Sequence, residues 1–124
     1  MENNDVFLKT KELGDLYYKD TLLYYEIPRA FILKTLTNND LYLCYEMESA
    51  GSYDKWLTAA ISNDDYWQIM NHEKPLQQIY FEKPAQDLMT ITNQYLMDGD
   101  LTTVTRDGQG WLKVLPKKAV YAER

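Results

Sequence analysis

Alternating apolar and polar side chains mark the stretch from Leu41 to Met47, where an extended strand would carry one fully apolar face. An apolar run at residues 30–36 precedes it, and the Asn-Asn-Asp sequence at 38–40 suits a tight turn because Asn and Asp tolerate positive φ. This pattern predicts a β-hairpin that pairs residues 30–36 with 41–48. One face of its second strand carries Leu41, Leu43, Tyr45 and Met47, and the other carries Tyr42, Cys44 and Glu46.

Runs rich in β-branched and aromatic residues predict further strands on both sides of this hairpin. They are Leu22–Ile27, which Pro28 should end, Tyr53–Ile61 and Leu88–Thr92. Asp107-Gly108 is a turn signal, so Thr102–Thr105 and Trp111–Leu115 are predicted to pair across it as another hairpin. Residues 1–20 show only a loose lead-in and a short amphipathic turn near Leu13–Tyr17.

At Ser62 the strand pattern gives way to a helix start. Ser62 suits an N-cap because its hydroxyl can accept a hydrogen bond from an orphan amide, and Asp64 and Asp65 then face the positive end of the helix dipole. Pro75 can open a second short helix. The whole pattern predicts an α+β fold, a mostly antiparallel β-meander with one or two short helices inserted around residues 62–81.

Bulk properties predict one cytoplasmic domain. No linker, repeat or low-complexity tract divides the 124 residues, so we expect a single domain over residues 1–124 with 1–12 as its loose part. A single cysteine, Cys44, excludes an internal disulfide framework. The polar, acidic start is not a signal peptide, and no stretch approaches the roughly 20 apolar residues of a membrane span.

Tyrosine content and negative charge are the unusual features of the composition. Eleven residues are tyrosine, which suits either half-buried sheet faces or protein contact surfaces. The net charge is −6, and between residues 38 and 72 six carboxylates accompany a single lysine. Such an acidic segment repels phosphate backbones, so direct nucleic-acid binding is disfavoured.

The residue types needed for catalysis or metal binding are scarce. One cysteine, Cys44, and one histidine, His72, cannot supply a zinc site within one chain. Cys44 falls in a predicted strand and His72 in a polar linker, so no nucleophile–base pair is predicted. The Asp98-Gly99-Asp100 segment is interpreted as a turn, since the rest of a calcium-loop pattern is missing. We therefore predict no catalytic residue, no metal ligand and no cofactor.

An acidic, tyrosine-rich stretch is the best candidate for a binding surface. Its aromatic residues alternate with carboxylates instead of the basic residues that single-stranded nucleic acids need. An ordinary solvated sheet face explains the same pattern, and contact with a protein partner that has a basic surface is the sharper interpretation. The predicted contact residues are Tyr42, Glu46, Glu48, Tyr53, Asp54, Asp64 and Asp65.

Short apolar motifs along the chain resemble those of a small uncharacterised domain found in bacteria and mobile elements. The matching segments are Asp20-Thr21-Leu22-Leu23-Tyr24-Tyr25, Leu41-Tyr42-Leu43, Lys55-Trp56-Leu57, Ile61-Ser62, Leu76, Phe81 and Leu115-Pro116. Thr21 and Ala59-Ala60 depart from the family pattern, which has Gly-Pro and Pro-Val at those places. The resemblance implies an α+β fold and a small accessory protein of a prokaryote or phage, and it implies no activity.

Three hypotheses on function follow. The first is a non-enzymatic accessory or inhibitor module that binds a protein stoichiometrically through its acidic, tyrosine-rich surface. The second is a small-molecule-binding domain with an aromatic pocket between sheet and helices, lined by Trp56, Trp67 or tyrosines. The third is an enzyme that uses carboxylates with magnesium. A homodimer paired through an edge strand also stays open, and no membrane association is expected.

Overall fold

Seven antiparallel strands form one sheet in the computed structural model, which describes residues 5–123 apart from the Pro28 side chain. Each strand pairs with its neighbours in chain order, so the sheet is a meander. The strands are β1 Val6–Thr10, β2 Gly14–Tyr25, β3 Ile27–Lys34, β4 Leu41–Ala50, β5 Tyr53–Ile61, β6 Leu88–Gln94 and β7 Leu101–Thr105. Helices α1 Asn63–Met70 and α2 Leu76–Phe81 lie between β5 and β6, and short 3₁₀ helices cover Ala85–Asp87 and Gly108–Val114.

The sheet curls until its two edges, β1 and β7, lie against each other without being hydrogen-bonded neighbours. The result is an almost closed barrel. Its concave side, called the inner face below, is filled because alternate residues of each strand point inward. The buried inner cluster consists of Leu8, Leu16, Phe31, Leu33, Tyr42, Cys44, Trp56, Met89, Ile91 and Val104.

The convex side of the sheet, called the outer face, packs against α1 and α2. Ile69 and Ile79 from the helices join the outward-pointing strand residues in a second buried cluster. Tyr80 is fully buried there, and its hydroxyl lies 2.9 Å from the carbonyl oxygens of both Leu43 and Leu57. The hydroxyl thus finds acceptors inside the core and fixes α2 on the sheet.

The C-terminal segment 115–123, called the strap, lies on the outer face beside α2. The side chain of Gln77, only 6% exposed, holds it in place. Its amide nitrogen donates to the carbonyls of Pro116 at 2.7 Å and Lys118 at 2.6 Å. Its amide oxygen accepts from the backbone amide of Val120 at 2.9 Å. A buried side chain therefore satisfies backbone groups that no strand pairing satisfies.

A capping box begins α1, as the sequence predicts. The Ser62 hydroxyl accepts from the Asp65 amide at 3.1 Å, and the Asp65 carboxylate accepts from the Ser62 amide at 3.0 Å. The same carboxylate pairs with the Lys83 ammonium. Burial opposes ionisation of Asp65, but the hydrogen bonds from Lys83 and Ser62 outweigh it and hold the pKa of this carboxyl below its usual 3.8. None of the helices formed by residues 5–123 is long and apolar enough to cross a bilayer.

The predicted meander and its central elements are confirmed. β3 and β4 form the predicted hairpin, β5 and β6 lie where strands were expected, and both helices fall within residues 62–81. The two faces of β4 also divide as the alternation predicts. Leu41 and Leu43 join the outer cluster, whereas Tyr42 and Cys44 join the inner one.

Three local predictions are wrong. Within the predicted lead-in, β1 and the first half of β2 form a hairpin, although residues 1–4 lie outside the described part of the chain. Bulges in β2 interrupt its alternation and hide the strand. Pro28 ends no strand, because the chain turns at Glu26, with φ 67°, and β3 already begins at Ile27. Residues 111–115 do not pair with β7, which pairs with β6 instead.

Candidate functional site

One end of the barrel is open and is surrounded by the start of β1 and three turns. In an antiparallel meander every second connection returns to the same end, so the β2–β3, β4–β5 and β6–β7 turns meet there. A cavity of about 470 Å³ opens between them, and we call it the mouth. It is lined by Phe7, Leu8, Ile27, Phe31, Glu46, Ser49, Ala50, Asp54, Trp56, Asn93, Tyr95 and Asp100.

Aromatic rings form the floor of the mouth. Phe31 and Trp56 project from the inner face and pack edge to face, with ring centroids 5.7 Å apart. Phe7 from β1 packs against both, at 5.6 Å from Phe31 and 6.2 Å from Trp56. Edge-to-face arrangements of this kind are favoured for aromatic pairs. Trp56 is 6% exposed and Phe7 41% exposed, so the floor is buried and its edge meets solvent.

Three carboxylates stand around this floor, and among residues 5–123 only one of them has a cationic partner within ion-pair distance. Glu46 pairs with Arg29 at 2.7 Å, and its side chain is 7% exposed. Asp54 and Asp100 receive hydrogen bonds from neutral donors. Neutral donors hold a carboxylate in place without cancelling its charge. The mouth is therefore an acidic site.

Side chains from neighbouring strands orient the two aspartates. Asp54 accepts from the Ser49 hydroxyl at 2.7 Å and from the Tyr95 hydroxyl. Asp100 accepts from the Asn93 side-chain amide at 3.2 Å. The hydrogen bond to Asp54, aided by burial and by the charges of Asp54 and Asp100, raises the pKa of Tyr95 to about 12. Tyr95 therefore remains a neutral donor at neutral pH.

Apolar side chains that point into solvent surround the mouth. Tyr24 and Tyr25, beside the β2–β3 turn, are 61% and 72% exposed. In the β6–β7 turn, Leu96 is 51% exposed and Met97 is fully exposed. Single exposed apolar residues are ordinary, but a group of them around one opening is typical of surfaces that bind other proteins.

Only two of the seven predicted contact residues lie in the mouth, namely Glu46 and Asp54. Sequence reasoning missed Phe7, Tyr95 and Asp100, which come from strands and turns far away along the chain. One usable signal existed within β5, where Asp54 lies two positions before a tryptophan and therefore on the same face. No local sequence pattern indicates that β1 and the β6–β7 turn contribute residues to the mouth.

The other five predicted residues are dispersed, so the predicted surface is not one patch. Tyr42 is 8% exposed in the inner cluster. Tyr53 donates a hydrogen bond to Glu48 at 2.7 Å on the outer side of the β4–β5 hairpin. Asp65 caps α1, and Asp64 is exposed in its first turn. Strand alternation and a bulge in β4 separate these sequence neighbours.

The remaining candidate groups take no part in the mouth. Cys44 is buried in the inner cluster, and burial raises the pKa of its thiol to about 12. His72 is exposed in a loop with φ 59°, and Trp67 is 58% exposed on α1. Within residues 5–123 no three Asp, Glu, His or Cys side chains are grouped closely enough to hold a metal ion.

A second cavity, of about 590 Å³, lies on the outer face between α2 and the strap, and we call it the groove. Phe81, which is 58% exposed, and Leu112 supply apolar surface, whereas Lys113 and Lys117 also line it. The groove lies between helix and strap, and Trp56 lines the mouth on the opposite face of the sheet. The predicted aromatic pocket between sheet and helices therefore corresponds to neither the mouth nor the groove. A smaller cavity of about 230 Å³ does lie between α1 and the sheet, and it is lined by Tyr66 and Trp67 together with Lys34 and Leu41.

The segments that carry the family resemblance contribute mainly to the two buried clusters. Leu41, Leu43 and Leu57 belong to the outer cluster, and Tyr42 and Trp56 to the inner one. Of these residues, only Trp56 lines the mouth. The resemblance stays a prediction, since no protein-family model, no curated protein and no solved structure matches this chain.

Proposed function

We propose that this protein is a non-enzymatic module that binds a protein partner with a basic surface stoichiometrically, and that the mouth is its contact site. The observation that carries the proposal is the coincidence, at one end of the barrel, of solvent-exposed apolar side chains with two aspartates that have no cationic partner among residues 5–123. Apolar contact and charge together characterise specific protein interfaces.

The apolar side chains around the mouth would supply most of the binding free energy. Complete burial of a large apolar side chain contributes roughly 1.5–3 kcal/mol, and Tyr24, Tyr25, Leu96 and Met97 all start from an exposed state. Tyrosine and methionine are also enriched at protein interfaces. Tyr24 and Tyr25 end the paired strand β2, and the turn that carries Leu96 and Met97 connects two paired strands, so binding orders little new chain.

Charge defines the chemistry of the partner. Asp54 and Asp100 have no cationic side chain within ion-pair distance among residues 5–123, and the chain carries a net charge of −6. A basic partner would be steered toward the mouth and would neutralise these carboxylates on contact. Because rim charges are screened by salt, the association rate should fall as ionic strength rises.

A charge-reversal experiment tests this proposal. The mouth variant Asp54→Lys with Asp100→Lys is compared with Glu73→Lys with Glu123→Lys, which alters two exposed carboxylates elsewhere and gives the same net charge. Each tagged protein is used to capture partners from lysate of the native host. The captured partner is then purified, and its affinity for each variant is measured at low and high salt.

We expect one partner near one-to-one with the wild type and the control, and a loss of at least about 100-fold in affinity for the mouth variant, since like charges placed opposite each other cost several kcal/mol. Circular dichroism verifies that both variants are folded. Equal binding by the mouth variant, or no stoichiometric partner, would show that the proposed function is wrong.

A further inference from the structure

We propose that the mouth anchors its partner through a single arginine residue, whose guanidinium enters the cavity between the aromatic floor and the carboxylates of Asp54 and Asp100. The inference rests on the proposed function and adds the residue that the partner must present. It is carried by three features of the mouth, namely its aromatic floor, its two aspartates and the indole N–H of Trp56, which donates to none of residues 5–123.

The aromatic floor suits a flat cation. Phe7, which is 41% exposed, packs within about 6 Å of Phe31 and Trp56, which are 1% and 6% exposed, so Phe7 supplies the accessible ring of the floor. Tyr95 stands at the rim. A guanidinium stacks on aromatic faces, and it is less strongly hydrated than an ammonium, so it loses less on entering a partly apolar cavity. The volume of about 470 Å³ lies in the usual range of ligand sites and admits an arginine with part of its neighbours.

The aspartates retain acceptor capacity after their internal hydrogen bonds are counted. A carboxylate offers about four lone-pair sites. Asp54 uses two of them, for Ser49 and Tyr95, and Asp100 uses one, for Asn93. Five N–H donors in a fixed fork can serve two carboxylates at once, which an ammonium does with less geometric fit.

The protein already uses this recognition at the same cavity. Arg29 donates to the mouth carboxylate Glu46 at 2.7 Å, and its Nε donates to the carbonyl of Tyr25 at 3.2 Å. This internal arginine satisfies Glu46 alone. The opposite wall, formed by Asp54 and Asp100, lacks such a partner among residues 5–123.

The indole of Trp56 supplies the third feature. Trp56 is 94% buried and lines the mouth, yet its Nε1–H donates to none of residues 5–123. Every fully enclosed side-chain nitrogen or oxygen in the described part of the chain has a partner, so this N–H is not fully enclosed, and the mouth is the cavity that Trp56 lines. An occupant that carries an acceptor oxygen as well as a cation would satisfy this donor. An arginine residue within a peptide offers both, since its backbone carbonyl lies on the same residue as its guanidinium.

The direct test titrates the full-length protein with the peptide acetyl-Gly-Arg-Gly-amide and follows the indole N–H resonance of Trp56 by NMR. That resonance is assigned with Trp56→Phe. The matched ligand is the same peptide with citrulline, which keeps the shape of arginine and lacks its charge, and a lysine peptide tests the preference for a planar fork. Free arginine amide distinguishes a small-molecule ligand from an arginine held within a chain.

We expect a saturable shift of the Trp56 resonance with the arginine peptide. Binding should be at least about tenfold weaker for the citrulline peptide, because a charge-assisted hydrogen bond is lost. It should weaken similarly for Asp54→Asn with Asp100→Asn and stay unchanged for Glu73→Gln with Glu123→Gln. Added salt should weaken arginine binding by the wild type, which keeps the test valid if the double variant is unstable.

Two results overturn the inference, namely no saturable shift with the arginine peptide, or equal affinities for the arginine and citrulline peptides. Tighter binding of free arginine amide than of the peptide would identify the mouth as a small-molecule site and also overturn it. The proposed function fails separately. If charge reversal at the mouth abolishes partner binding while arginine peptides do not bind, the docking site stands and the arginine anchor is wrong.

Discussion

The mouth and the groove are two apolar depressions of similar size that differ in what their polar side chains bind. The mouth, about 470 Å³, has an aromatic floor and two aspartates without cationic partners in the described chain. The groove, about 590 Å³, is the larger and is bordered by Lys113 and Lys117. Size alone would favour the groove as the binding site. Charge and exposed aromatic surface favour the mouth.

The hydrogen bonds of the two regions explain this difference. In the groove, Gln77 directs both ends of its amide to the backbone of the strap, so its polar groups serve the fold. The groove is the space that remains between α2 and the segment it holds. In the mouth, neutral side chains hold Asp54 and Asp100 and leave their charges facing the cavity. Changes beside the groove should therefore cost stability, and changes in the mouth should cost binding.

The largest loss of stability is expected from Gly108→Ala, at the start of the 3₁₀ helix that leads to the strap. A Cβ there would lie 2.4 Å from the Met89 backbone nitrogen and 2.6 Å from the Leu88 carbonyl carbon. Backbone atoms of a paired strand cannot move aside, so overpacking should lower the free energy of unfolding by about 3 kcal/mol. Gly110→Ala is the matched control, because nothing lies within 4 Å of its Cβ position.

Urea denaturation of both glycine variants measures this difference. We expect Gly110→Ala to stay within about 0.5 kcal/mol of the wild type. Similar midpoints for the two variants would show that the 3₁₀ helix does not pack against β6 as described.

The next largest loss should follow from Gln77→Ala, which removes three hydrogen bonds to the strap. Backbone groups of Pro116, Lys118 and Val120 lose their partner, and at about 1 kcal/mol each the free energy of unfolding should fall by about 2–3 kcal/mol. The adjacent Gln78→Ala loses only an exposed bond to Glu82 and should change stability by less than about 0.5 kcal/mol.

Hydrogen exchange locates the effect of the Gln77 substitution. The Val120 amide should exchange much faster in Gln77→Ala, while binding of the arginine peptide to the mouth stays unchanged. If Gln77→Ala proved as mild as Gln78→Ala, the strap would not depend on this side chain.

A smaller, pH-dependent loss is expected from Asp65→Asn, which weakens the capping box and the ion pair with Lys83. The cap contributes about 1 kcal/mol, so the free energy of unfolding at pH 7 should fall by about 1–2 kcal/mol. Asp64→Asn, which alters an exposed neighbour, should change it by less than about 0.5 kcal/mol.

The sign of the pH dependence follows from the lowered pKa of Asp65 in the folded protein. A carboxyl that binds its proton less readily in the folded state stabilises that state above the ordinary pKa of 3.8 and loses this contribution as the pH falls through the folded value. The stabilities of wild type and Asp65→Asn should therefore converge only as the pH falls below 3.8 and through the lowered pKa of Asp65 in the folded protein. A difference that persists at the lowest pH would mean that charge on Asp65 is not the cause.

The smallest effect on stability is expected in the mouth. In Asp54→Asn with Asp100→Asn, the new amide oxygen at position 54 can accept from only one of Ser49 and Tyr95, which donate to different oxygens of Asp54, and its amide nitrogen can donate to the other hydroxyl. The amide oxygen at position 100 can still accept from Asn93. Stability should stay within about 0.5 kcal/mol of the wild type, while arginine-peptide binding falls. A large loss of stability would mean that the aspartates serve the fold, and the contrast with the groove would disappear.

The sequence predicts those elements whose signals are local. The alternation in β4 and the turn at 38–40 identify the central hairpin, and Ser62 with Asp65 identifies the start of α1. The first hairpin escapes prediction because bulges break the alternation of β2. Residues 111–115 form an apolar run that suits a strand and a 3₁₀ helix equally well.

The site is less predictable than the fold because its residues meet only when the sheet curls. Phe7, Glu46 and Asp100 come from different strands or turns, and no local pattern relates them. The sequence around Asp100 indicates only an ordinary turn. Its hydrogen bond to Asn93 depends on the register between β6 and β7. Strand alternation could assign faces, but it could not show that the edges of the sheet approach each other.

Site-specific photo-crosslinking tests the role of the mouth most directly. A benzophenone amino acid replaces Met97 at the mouth or Val114 in the 3₁₀ helix that leads to the strap, both exposed positions, and the proteins are irradiated in the native host. We expect one discrete crosslinked partner from position 97, lost on Asp54→Lys with Asp100→Lys, and none from position 114. A partner crosslinked from position 114 alone, or one from position 97 that survives charge reversal, would contradict the assignment of the mouth as the contact site.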